Sequence, residues 1–137
     1  STIDQFTEAN AFQEIMIDAA TDKKVNRILF CSGQIYYDLL QRKEDKEIND
    51  CTIIRLEQLY PFPEHQIESY VLKNPKAKMA WVQEEPLNMG AASYIKARWK
   101  YESLNFITRP ASASPAVGFK KIHDRQLIEL LDNAFGF

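Results

Sequence analysis

Short apolar runs alternate along the chain with stretches in which apolar residues recur at helical spacing. V-N-R-I-L-F-C (25–31) has the length and β-branched character of a buried strand and breaks at Ser32-Gly33. Behind it, Q-I-Y-Y-D-L-L-Q-R-K-E-D places Ile35, Leu39 and Leu40 on one helical face. C-T-I-I-R-L-E (51–57) is a second strand. L-Y-P-F-P ends it, because prolines lack the N–H of a ladder and restrict the residues before them, and P-E-H-Q-I-E-S-Y-V-L then reads as a helix with Pro63 at its first position. M-A-W-V-Q (79–83) is a third strand, followed by the loop E-E-P-L-N-M-G and the helix A-A-S-Y-I-K-A-R-W-K-Y. N-F-I-T-R (105–109) is a fourth strand. It leads through P-A-S-A-S-P-A-V-G into a final helix ending in L-I-E-L-L-D-N-A-F.

Strand and helix in regular succession predict right-handed crossovers and a three-layer α/β/α sandwich with a mainly parallel sheet of four or five strands. That domain occupies residues 25–137. Residues 7–20 fit an amphipathic helix with Ala11, Ile15 and Met16 on one stripe, and equally an arm docked through the segment 6–12, so 1–24 is expected to be an N-terminal helix or docking arm.

Composition narrows the functional classes. The chain has 137 residues, 45% hydrophobic, 26% charged and 12% aromatic, which suits one packed domain. Its net charge of −2 is mixed along the whole sequence, so nucleic acid is not an expected partner. No apolar run has the length of a membrane span, and the start S-T-I-D-Q-F-T-E has neither the basic nor the apolar region of a signal peptide, so no membrane partner is expected. Cys31 and Cys51 lie inside apolar runs without metal-ligand spacing and read as buried thiols of a reducing compartment. A chain that opens at serine and runs straight into a helical pattern reads as part of something longer.

In a parallel sheet the strands end along one edge, where ligands usually sit. The strand ends carry Ser32 and Gln34, Arg55 and Glu57, Gln83 with Glu84 and Glu85, and Arg109. Arg55 and Arg109 suit a phosphate or carboxylate, and Ser32–Gln34 open a helix whose free N–H groups favour an anion; alternatively the arginines pair with Glu57, Glu84 or Glu85. Glu84 and Glu85 are adjacent, so strand geometry sends them to opposite faces and argues against a shared acid–base pair. His65 and His123 have no ligand-like neighbours, and the four glycines form no phosphate loop or nucleophile elbow. No catalytic, cofactor-binding or metal residue is therefore assigned. Tyr36, Tyr37, Trp81, Trp99 and Tyr101 read as core or interface packing.

The strand-end motifs F-C-S-G-Q-I-Y-Y-D-L-L, I-I-R-L-E-Q-L-Y-P-F-P, W-V-Q-E-E-P-L-N-M-G-A and R-P-A-S-A-S-P-A-V-G closely resemble, in order and spacing, the C-terminal segment of the decarboxylating first component of the 2-oxoglutarate dehydrogenase complex. The resemblance covers about residues 25–135 and implies a transketolase C-terminal-like domain. It implies a parent that uses thiamine diphosphate and magnesium to decarboxylate 2-oxoglutarate in the tricarboxylic acid cycle and succinylates a lipoyl group. Its partners would be a second copy, the dihydrolipoyl succinyltransferase and the dihydrolipoyl dehydrogenase.

The setting implied is the cytoplasm of a bacterium, or the mitochondrial matrix in a eukaryote. The cofactor motif, a G-D-G followed by an asparagine, is absent, so this chain alone is expected neither to bind thiamine diphosphate nor to turn over substrate. By the same resemblance the domain helps build the dimer and offers an effector site for acetyl-CoA or AMP, with Arg55 and Gln83 as contacts and Ser32, Gln34, Glu57 and Arg109 around them. The chain departs from the family at Gln34, where lysine is usual, and at Met89, often glutamine. The competing readings are a stand-alone nucleotide or acyl-CoA binding module and a purely structural dimerisation domain.

Overall fold

Strands whose residues are apolar on both faces need cover on both sides, and the computed structural model supplies it. It describes residues 15–19, 24–57, 63–86, 89–101, 104–109 and 120–137. In chain order the elements are β1 (Ile15–Asp18), β2 (Arg27–Cys31), α1 (Ile35–Asp45), β3 (Cys51–Leu56), α2 (Glu64–Lys73), β4 (Lys78–Pro86), α3 (Ala92–Arg98), β5 (Leu104–Arg109) and α4 (Lys120–Gly136). The five strands form one sheet in the order β1-β3-β2-β4-β5. All neighbours are parallel except β1, which runs antiparallel to β3.

Alternation along each strand divides the core in two. Leu29, Cys31, Cys51, Ile53, Ala80, Val82 and Ile107 face α1 and α4, meeting Ile35, Tyr36 and Leu39 from the first and Leu130, Leu131 and Ala134 from the second. Ile28, Phe30, Ile54, Leu56, Met79 and Trp81 face α2 and α3, against Ile67, Val71, Ala92 and Ile95. The three-layer, mainly parallel architecture expected from the pattern is therefore the observed one.

Three elements differ from expectation. Ile15–Asp18 is a strand, not part of a helix: Ile15 lies opposite Leu56 and Ile17 opposite Ile54, capping the edge of β3. Ile15 and Ile17 pack on the α2/α3 core while Met16 packs on the α1/α4 core, which is two-residue periodicity. The remainder of the predicted helix or arm, residues 1–14 and 20–24, falls outside the described residues except for Lys24. Second, β4 continues past Gln83 to Pro86, with a register shift against β5 between Val82 and Pro86. Third, α3 stops at Arg98, and extended Trp99 sets its ring edge-on to Phe30 at 5.2 Å and to Tyr101 at 5.1 Å.

Candidate functional site

The chain leaves β2 through α1 to reach β3 on one side, whereas β4, on the other side of β2, leads through α3 to β5 in the opposite direction. The strand order thus reverses between β2 and β4, and the carboxyl ends flanking such a reversal are splayed by the diverging connections. A crevice opens there, lined by Ser32, Gly33, Gln34, Ile35, Glu84 and Glu85. Gly33 takes φ +78, a left-handed turn that passes the chain from β2 into α1. A wider hollow lies beside the C-terminal end of α1, but its Lys43 and Asp18 are already joined at 2.6 Å.

The charged rim residues flank this crevice and are paired with one another. Arg55, at the end of β3, stands over the rings of Tyr36 and Tyr37 at 5.8 and 5.4 Å. Its Nη1 donates to the Tyr37 hydroxyl at 3.2 Å and lies 3.6 Å from Glu57. Arg109 lies 3.9 Å from Glu84 and donates to Gln126 Oε1 at 3.1 Å. Of the two alternatives open for these arginines, ion pairing within the rim is what the structure displays. Tyr37, 51% exposed, gives the Arg55 end of the rim an accessible aromatic face. Gln34 is exposed at the start of α1 and makes no side-chain cap to the helix, and Ser32 is half-buried beside it.

Gln83 is placed differently from the sequence expectation. It is 3% exposed, and its amide is fully occupied inside the protein. Oε1 accepts from the Trp81 indole N–H at 2.9 Å and from the Ala92 backbone N–H at 3.0 Å. Nε2 donates to the carbonyls of Glu85, Pro86 and Met89 at 3.1, 2.8 and 2.8 Å. A carboxamide has two acceptor positions and two N–H donors, so none is left for an effector. Arg55 is exposed enough to meet one; Gln83 is not.

The adjacent glutamates also depart from expectation, since both line the same crevice. Strict alternation holds only where the ladder is regular, and β4 shifts register beyond Val82. They still form no acid–base couple of equals, because Glu84 is engaged by Arg109 while Glu85 is exposed. The four glycines include no G-D-G, so this rim does not supply the motif by which thiamine diphosphate and its magnesium would be held. Sequence reasoning missed Tyr37 as part of the rim. Its position two residues after Ile35, on the outward face of α1, was the available signal.

Comparison with known proteins places this geometry in context. The profile of a family described as 2-oxoglutarate dehydrogenase C-terminal matches residues 1–135. A protein of Dictyostelium discoideum named "Probable 2-oxoadipate dehydrogenase complex component E1 homolog" is 36% identical over 146 residues, covering 100% of this chain and 16% of its own length. The 2-oxoglutarate dehydrogenase E1 component of Brucella anthropi is 35% identical over 156 residues, 99% of this chain and 16% of that protein. The same component of Brucella ovis matches to the same extent. This chain therefore spans 16% of the length of these relatives.

Proposed function

The chain belongs to the 2-oxoglutarate dehydrogenase C-terminal family, and from that premise we propose that it is the C-terminal domain of a thiamine diphosphate-dependent decarboxylase of 2-oxoglutarate. The parent loses carbon dioxide from the substrate and passes the succinyl group to a lipoyl arm of a dihydrolipoyl succinyltransferase, whose reduced lipoyl a dihydrolipoyl dehydrogenase reoxidises. The cofactor and its magnesium are held by preceding domains. This domain contributes to the dimer and carries an effector site for acetyl-CoA or AMP on the strand-end rim, with Arg55 as its cation and Tyr37 as an aromatic face beside it. The observation that carries the reading is the family match over residues 1–135. The rim's position at the reversal of strand order supports the effector half of it.

A second reading, 2-oxoadipate as substrate, is favoured by the similarity to the Dictyostelium protein, at 36% identity against 35% for the Brucella enzymes. The two acids differ by one methylene, a difference that a pocket resolves by about 10- to 200-fold. Decarboxylation by the intact polypeptide, followed with an artificial electron acceptor, separates them. The expected result is turnover that needs thiamine diphosphate and magnesium, with kcat/KM at least about tenfold higher for 2-oxoglutarate than for 2-oxoadipate. A reversed preference would replace the first reading by the second. Turnover by the 137-residue chain alone would overturn the division of labour between domains.

A further inference from the structure

The end of β4 carries Glu84 and Glu85 to the crevice, and hydrogen bonds from this strand end and the turn that follows converge on one side chain. Met89 N–H donates to the Pro86 carbonyl at 2.9 Å, closing the turn on itself. Five further bonds run to Gln83: from its donor side to the carbonyls of Glu85, Pro86 and Met89, and to its acceptor side from the first amide of α3 and the Trp81 indole. Trp81 is wholly buried in the core beneath α2 and α3, so the bonds connect that core to the rim. Gly90 closes the arrangement. It takes φ +67, and a Cβ there would come within 3.2 Å of Gln83 Oε1 and 3.3 Å of the Glu85 carboxyl group. The left-handed φ and this close approach together favour glycine at the position.

We infer that Gln83 is a positioning residue that shapes the switch-point crevice, its amide fixing the strand-end turn and the start of α3 and so setting where Glu84 and Glu85 stand. The inference deepens the reading of the rim as the ligand side. Its test reads the turn and not a ligand, so the two stand or fall separately. An unbonded side chain of similar length removes all five bonds, whereas a carboxylate keeps the acceptor for Trp81 and Ala92 but faces three carbonyl oxygens without a proton to offer. Protonation returns one donor. The turn in a Gln83→Glu variant should therefore depend on pH in a way that the wild-type turn does not.

Hydrogen–deuterium exchange of the intact polypeptide, wild type against Gln83→Met and Gln83→Glu, tests this. In Gln83→Met, amides of residues 89–92 are expected to exchange at least about tenfold faster, the scale of one net hydrogen bond, while those of β2 and β3 keep wild-type rates. In Gln83→Glu, the ratio to wild type measured at each pH should be near one in acid and rise as the introduced carboxyl ionises. Gly90→Ala should reproduce the selective acceleration of Gln83→Met. Unchanged exchange in the turn, acceleration spread evenly over all strands, or a pH-independent ratio in Gln83→Glu would overturn the inference. Should Gln83→Met not fold, the Gln83→Glu profile decides alone.

Discussion

Cys31 and Cys51 sit in adjacent strands, both wholly buried in the core beneath α1 and α4. Burial pushes each thiol from 9.0 up to about 12, with nearby Arg55 pulling Cys31 and Lys43 pulling Cys51 back only in part. The unfolded chain releases these protons near pH 9 and the folded chain does not. The stability that the neutral thiols contribute is thus complete below pH 9 and is lost as pH rises from about 9 toward about 12. Urea denaturation across that range should show a steeper loss of stability in wild type than in Cys31→Ala/Cys51→Ala, and equal slopes would refute it. The same contrast between chemical capacity and actual use runs through the rim. Gln83 has a hydrogen-bonding amide and uses all of it internally, whereas Arg55 is paired loosely enough, 3.6 Å from Glu57, for an incoming anion to compete.

Among the elements, β1 is tied to α1 through a pair of side chains as well as to β3 by its ladder. Lys43, 8% exposed on α1, donates to Asp18 at 2.6 Å and to the Ala19 carbonyl at 3.2 Å, tying the edge strand to the helix that packs beneath it. Asp18→Ala leaves a largely buried ammonium with only the carbonyl, and should cost about 1–2 kcal/mol once the partial exposure of Asp18 is allowed for. Adding Lys43→Met should recover part of that loss in a double-mutant cycle read by urea denaturation; a double variant less stable than Asp18→Ala would contradict the account.

This strand was hidden in the sequence, because three apolar residues, Ile15, Met16 and Ile17, satisfy helical and strand periodicity alike over so short a run. The other four strands and all four helices were readable, since their apolar runs are separated by glycine, proline and polar turns. Their ends were less so: β4 overran its expected end by three residues and α3 fell short of Tyr101. The rim itself could be found by collecting strand ends. Which of its residues face a ligand could not, because the saturation of Gln83 depends on carbonyls of a turn that no periodicity describes.

At the scale of the whole molecule, two apolar cores hold one sheet between helix layers, and strand order alone decides which edge is open to a ligand. The chain spans 16% of the length of its relatives, and in the proposed reading it serves regulation and assembly of a reaction carried out by the rest of the polypeptide. The rim combines a cation, Arg55, an exposed ring, Tyr37, and a crevice bordered by Glu84 and Glu85, with the uncharged Gln34 beside them. In the proposed reading Arg55 is the cation on which effector binding depends. Calorimetric titration of the intact protein with acetyl-CoA and with AMP tests this most directly. Saturable heat from either ligand, with affinity reduced by about tenfold or more in Arg55→Ala, is the predicted result. No heat from either, or binding untouched by Arg55→Ala, would contradict it.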